Sequence, residues 1–115
     1  MLPKKNRLKR RKNFERLIKK GSFYKGVFLV LKTIKNEKEN TRFGFIVSKK
    51  VSKKAVERNK VKRRMREVVR GLLGFVVPGY DVVFFAKKNI LGKNFNEIKK
   101  EICALMEKSE LIKKT

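Results

Sequence analysis

Asn59, Lys62, Arg63, Arg66 and Arg70 recur three or four residues apart, the separation that places side chains on one face of an α-helix. None of these side chains is a nucleophile or a proton donor tuned for neutral pH. The row offers fixed positive charge instead. A planar guanidinium grips phosphate oxygens in bidentate fashion and stacks on bases, and the Asn59 amide adds a donor and an acceptor. At 100° per residue, Val61, Met65, Val68, Val69 and Leu72 fall on a separate arc that should face a core, and Glu67 alone interrupts the basic side. An ordinary solvated face mixes Glu with Lys at i,i+4, so this stripe points to a polyanionic partner.

The remaining composition narrows the chemistry. There is no His, one Cys, Cys103, and one Asp, Asp81. A Ser–His–Asp or Cys–His site is therefore impossible, and a Cys/His zinc cage cannot form within one chain. Glu residues next to Lys, as in Glu37-Lys38, Lys100-Glu101 and Glu107-Lys108, read as solvated faces rather than metal-binding clusters. Cys103 lies in an amphipathic run and is expected as a buried, reduced core thiol.

The chain has 115 residues and 34 Lys and Arg against 10 Asp and Glu, a formal net charge of +24. That length suits one domain, and that charge favours nucleic acid or an anionic surface as partner. Hydrophobic residues at 41%, with nine Phe, are enough for a modest core. The basic N-terminus is not followed by an apolar signal region, and no stretch approaches the ~18 apolar residues of a membrane span, so a cytoplasmic protein without membrane partner is expected.

The elements that must carry the stripe follow from periodicity. Residues 1–12 hold Lys4, Lys5, Arg7, Lys9, Arg10, Arg11 and Lys12, and read as a flexible basic arm. Asn13 stands as an N-cap, followed by Phe14, Leu17 and Ile18 at helical spacing and by Gly21 as a stop. Phe23 to Ile34 contains the strand-like run Val27 to Leu31, with room for a further short strand or bulge from residue 22. Asn36 to Asn40 reads as the turn of a hairpin whose second arm is Thr41 to Ser48, with Phe43, Phe45 and Val47 on one face. Lys49 to Lys54 is a charged connection into the basic helix, about Ala55 to Leu73. Pro78-Gly79 marks a turn before a buried central strand, Tyr80 to Ala86. Asn94 is the expected cap of a last helix, about Phe95 to Lys108, and Lys113 to Thr115 should fray. The order is helix, strand, strand, helix, strand, helix, an α/β sandwich with one mixed sheet and no internal repeat.

The run Arg58-Asn59-Lys60-Val61-Lys62-Arg63-Arg64-Met65-Arg66-Glu67, preceded by Ala55, resembles the R-N-x-x-K-R-x-x-R-E signature of the bacterial ribonuclease P protein subunit. The resemblance extends to Leu8 with Phe14-Glu15-Arg16-Leu17, to Arg42 through Lys50, and to Gly79 through Lys87. It implies a single RNA-binding domain over residues 1–115, a two-layer sandwich with a mixed sheet of about four strands. The basic helix would cross between two parallel strands in the uncommon left-handed sense. It also implies a protein that binds a catalytic RNA, expected one to one. Together they would remove the 5′ leader of precursor tRNA, with the active site and its Mg2+ held mainly by the RNA. On the matched motif, Arg58, Asn59, Lys62, Arg63 and Arg66 would face the catalytic RNA, with Lys54 at the approach. Arg70 joins them from the helical arc alone.

The family's second surface is a cleft between the first helix and the sheet that receives the leader. Phe14 matches its aromatic position, Ile18 stands where some members have another aromatic, and Leu31 stands where a strand tyrosine can occur. Lys49, Lys50 and Lys87 would add phosphate contacts, and Leu17 belongs to the core. Simple packing on the sheet is the competing explanation for Phe14 and Ile18. For the whole chain the competitors are a ribosomal or general RNA-binding protein and a self-sufficient protein nuclease. Activation of one catalytic RNA separates the first, and activity without RNA the second.

Overall fold

The structure is a computed structural model and describes residues 2–113. In chain order it contains α1 (Arg11–Lys20), β1 (Ser22–Lys25), β2 (Leu29–Lys35), β3 (Arg42–Ile46), α2 (Ala55–Leu72), β4 (Tyr80–Ala86) and α3 (Phe95–Lys108). Short 3-10 turns occur at Lys4–Asn6, Leu73–Phe75 and Lys88–Ile90.

The strands form one sheet in the order β1-β2-β4-β3. β1 and β2 are antiparallel, β2 and β4 are antiparallel, and β3 runs parallel to β4. β4 takes an inner position because it is apolar on both faces: Val82 and Phe84 enter one core and Val83 the other, each with no exposed surface. A strand apolar on both sides needs cover on both. The central placement expected for residues 80–86 is therefore observed, and the expected hairpin is not. β4 lies between β2 and β3, while the hairpin in the fold is β1–β2, within the stretch where a further strand had room. The alternation along β3 holds, with Phe43, Phe45 and Val47 directed to the larger core.

α2 and α3 cover that larger core, which contains Leu29, Leu31, Phe43, Val82, Phe84, Met65 and Ile102. α1 covers part of the opposite face through Leu17, which packs with Leu8 and Val83 and, around them, Phe14, Ile34, Ile46 and Phe85. Full burial of a side chain such as Leu17 contributes about 1.5–3 kcal/mol. α2 itself is the crossover that joins the parallel strands β3 and β4.

Helix starts differ in how they are made. Asn94 caps α3 as expected: its side chain accepts from Glu97 N at 2.9 Å, and the Glu97 carboxylate accepts from Asn94 N at 3.1 Å, a capping box. Asn13 is not a cap. α1 begins three residues earlier than an Asn13 cap would start it, at Arg11, with Arg10 in the N-cap position and no side-chain cap.

Of residues 1–12, expected as a flexible basic arm, the described residues before α1 pack on the sheet. Leu2 and Leu8 are 2% and 6% exposed. Arg7 pairs in parallel with Phe43, and Leu8 N–H donates to Phe43 O at 2.9 Å. The segment therefore covers the start of the free edge of β3. At the other end Leu111 and Ile112 are buried; Lys113 is exposed, and Lys114 and Thr115 lie outside the described residues.

Asp81 fastens the far end of the sheet. Its carboxylate accepts from Arg42 Nε and Nη2, both at 2.8 Å, and from Asn36 Nδ2 at 3.0 Å. Cys103 is half-buried rather than buried, since it borders an apolar groove beside Phe75 and Ile112. Burial still pushes its thiol pKa up, aided by Glu107 and opposed by Lys99.

Candidate nucleic-acid interface

α2 separates its side chains as the periodicity requires. Val61, Met65, Val68 and Val69 are buried, while Asn59, Arg63, Arg66 and Arg70 are exposed on the other side. Lys62 lies at the border, half-buried. Lys54 precedes the first turn and is exposed. Arg58 is half-buried, and its Nη1 donates to Ser52 O at 2.9 Å, so it also fastens the loop that leads into the helix. Arg70 Nη2 lies 3.8 Å from Glu67 Oε2 in an exposed pair of small energetic weight. Arg64 points to the other flank and donates to Lys93 O at 2.9 Å, which explains its absence from the basic row.

One flank of α2 opens on a cleft of about 330 Å³. Arg7, Lys9, Phe14, Phe45, Lys62 and Arg66 line it, over Gly44 as part of its floor. The fold thus brings Phe14 and two members of the basic row, Lys62 and Arg66, to one depression. Phe14 is held there by Gly44: a Cβ at residue 44 would meet the Phe14 ring at 2.7 Å from Cε1 and 2.8 Å from Cζ.

Other expected cleft residues are placed elsewhere. Ile18, 47% exposed, lies one helical turn beyond Phe14 and does not line this cleft. Leu31 is fully buried in the core under α2 and α3, on the far side of the sheet from Ile18. Lys32 takes the place beneath α1: its Nζ donates to Ile18 O at 3.3 Å and lies 5.8 Å from the centroid of Phe85. Lys49 and Lys50 are exposed in the turn after β3. Lys87 leaves the sheet at the same end, but its Nζ donates to Gly26 O and its N–H to Phe28 O, both at 2.9 Å. It is tied to the β1–β2 turn.

Sequence reasoning missed Arg7, Lys9, Lys32 and Phe85. For the first two the available signal was the alternation Arg7-Leu8-Lys9, one buried apolar side chain between two cations. For Lys32 it was the two-residue period of β2, which opposes Lys32 to Leu31. Among the described residues there is no group of three or more His, Cys, Asp or Glu able to hold a metal ion, and none of the helices is long and apolar enough to cross a membrane.

Comparison with known proteins adds to this geometry. The Ribonuclease P family profile matches residues 2–110. A ribonuclease P protein component of Pseudanabaena sp. is 36% identical over 113 residues, covering 97% of each chain. The chain belongs to the ribonuclease P protein family. Another ribonuclease P protein component, from Syntrophomonas wolfei, is 36% identical over 96% of this chain and 92% of its own. The structure of the Staphylococcus aureus RNase P protein superposes with a TM-score of 0.86 at 27% identity, over 93% of this chain and 97% of that one. The Thermotoga maritima RNase P protein gives 0.81 at 28% identity, over 89% and 96%. The mixed four-stranded α/β fold is therefore that of ribonuclease P proteins, a family of tRNA processing, and membership implies an RNA partner.

Proposed function

We propose that this chain is the protein subunit of ribonuclease P and acts in the cytoplasm, one copy to one catalytic RNA. The exposed row on α2, Asn59, Arg63, Arg66 and Arg70 with Lys62 and Arg58 at its border and Lys54 at its approach, holds the RNA through phosphate contacts. The cleft of Phe14 takes the single-stranded 5′ leader of precursor tRNA, and Lys49 and Lys50, exposed in the turn after β3, add phosphate contacts outside it. The continuity of Phe14 with Lys62 and Arg66 in one cleft carries this reading: leader and catalytic RNA would meet across a single basic surface.

The protein's part is electrostatic and positional. Cations placed where two RNAs approach lower their mutual repulsion, and each neutralised phosphate releases condensed counterions. Base stacking on an aromatic adds roughly 1–3 kcal/mol that only a leader-bearing substrate can use. Mature tRNA lacks that contact, so product leaves more easily. Mg2+ would supply the charge stabilisation and activated water of phosphodiester hydrolysis. No cluster of acidic side chains among the described residues fits it, and the Asp81 carboxylate is engaged by Arg42 and Asn36. In this proposal the RNA holds the metal.

The test is leader cleavage of a precursor tRNA at low magnesium with bacterial catalytic RNA alone, this protein alone, and both together. Activation only in the mixture supports the proposal. Cleavage by the protein alone would make it a nuclease in its own right, and an unchanged RNA rate would leave a general RNA-binding role.

A further inference from the structure

The free edge of β3 carries a pattern that the basic row does not explain. In a strand, backbone groups turn to alternate sides with a period of two. Thr41 O accepts from Asn6 Nδ2 at 2.9 Å, and Phe43 O accepts from Leu8 N at 2.9 Å, so the N-terminal segment takes up the outward carbonyls of residues 41 and 43. Phe45 is the next residue whose N–H and C=O face outward. No described residue pairs with it there, because the segment turns away after Leu8 into α1. The cleft opens at this point, with Arg7 and Lys9 on one side and Lys62 and Arg66 on the other.

We infer that this cleft is a clamp for one nucleotide of single-stranded RNA, in which the Phe45 backbone N–H and C=O grip the edge of the base while Arg7 and Lys9 hold phosphates opposite Lys62 and Arg66. This rests on the ribonuclease P reading above and adds to it two binding residues, a backbone contact and a role for the N-terminal segment. The volume of about 330 Å³ lies at the small end of ligand pockets and suits a single nucleotide. Each base offers a neighbouring donor and acceptor on its Watson–Crick edge, so one backbone pair can hold any of them, and bases splayed from a single strand are read in this way. The backbone is held in place: the Phe45 ring is stacked on Phe84 at 6.0 Å between centroids and 9° between planes, and Phe14 rests on Gly44 next to it. Four cations around the opening favour RNA over an added protein strand at this edge.

The test is titration of the full-length 15N-labelled protein with a five-nucleotide single-stranded RNA, followed by amide NMR. The Gly44 and Phe45 amides and the Arg7 side-chain N–H should shift at the same RNA concentration. Lys9→Gln should weaken binding about tenfold and reduce the salt dependence by about 0.7 in log–log slope, the single-strand value for one phosphate. Arg7→Gln should do the same, with Lys9→Gln as the safer variant because Arg7 Nε also donates to Leu2 O. Lys12→Gln removes equal charge from an exposed site outside the cleft and should have little effect. Equal losses for Lys9→Gln and Lys12→Gln would overturn the clamp in favour of diffuse attraction. Shifts confined to α2 would overturn it as well, even if the protein activates the catalytic RNA, and in that case the ribonuclease P reading stands alone. Movement of Phe45 by an extended peptide but not by RNA would assign the edge to a protein strand and overturn it too.

Discussion

Phe14 lies across Gly44, with no room for a Cβ between the aromatic ring and the β3 backbone. Residue 44 therefore determines where the ring stands in the cleft, although it has no side chain to offer a ligand.

Gly44→Ala should push the Phe14 ring out of position and cost about 1–3 kcal/mol of stability through overpacking. Preference for leader-bearing precursor over mature tRNA should fall, as it should in Phe14→Ala. Adding Phe14→Leu to Gly44→Ala should restore stability but not the preference. Urea unfolding and competitive binding of the two tRNAs measure both; an unchanged preference in Phe14→Ala would remove the ring from leader binding.

Arg63→Ala and Arg66→Ala change exposed residues and should alter stability by less than about 0.5 kcal/mol. Each should weaken binding to the catalytic RNA and reduce its salt dependence by about 0.7–0.9 in log–log slope. Binding measured across a salt series tests this, and an unaltered slope in both would place them outside the interface. Arg58→Ala should also loosen the loop at Ser52, because it removes the bond to that carbonyl.

Asp81→Asn should destabilise the fold by about 3 kcal/mol, the lower end for breaking a buried pair, because the Arg42 side chain retains 21% exposure. Replacing both partners, Arg42→Met with Asp81→Leu, should recover part of the loss. The salt dependence of RNA binding should stay the same in either protein. A lowered slope would mean that Arg42 touches RNA.

Cys103 should react slowly with iodoacetamide in the folded protein. Its pKa is raised by burial and by Glu107, so at a given pH less thiolate is present than in the unfolded chain, and the rate should rise only at higher pH than for an ordinary thiol. Comparing pH–rate profiles with and without urea checks this; a faster folded-state reaction would contradict it.

The face of α2 was readable because helical period alone separates Met65 from Arg66. The class of β4 was readable because Val82 through Phe85 are apolar without a break. Strand neighbours were not, since a polar five-residue turn between two apolar runs looks like a hairpin whether or not a later strand inserts. Asn94 and Glu97 cap a helix through a spacing visible in sequence, whereas Asn13 resembles a cap that the docking of Leu8 on β3 overrides by starting α1 earlier. The cleft beside Phe14 was half legible. Phe14 could be matched by motif, but Lys32 and Leu31 differ only in which way β2 faces, and the contribution of Arg7 and Lys9 depends on a strand edge more than thirty residues away.

The position of β4 between β2 and β3 also sets the order of events as the chain leaves the ribosome. The β1–β2 hairpin is the one part of the sheet that can close from near neighbours. β3 emerges before the strand it pairs with along its length, and only the N-terminal segment, already synthesised, is there to meet its edge in parallel. Only when residues 80–86 follow do both inner partnerships form, in one step that joins the two halves of the polypeptide. Nonlocal pairing of this kind slows folding and leaves apolar strands open in the meantime. The nascent chain at that stage already carries most of its positive charge, which keeps copies apart until the last strand arrives.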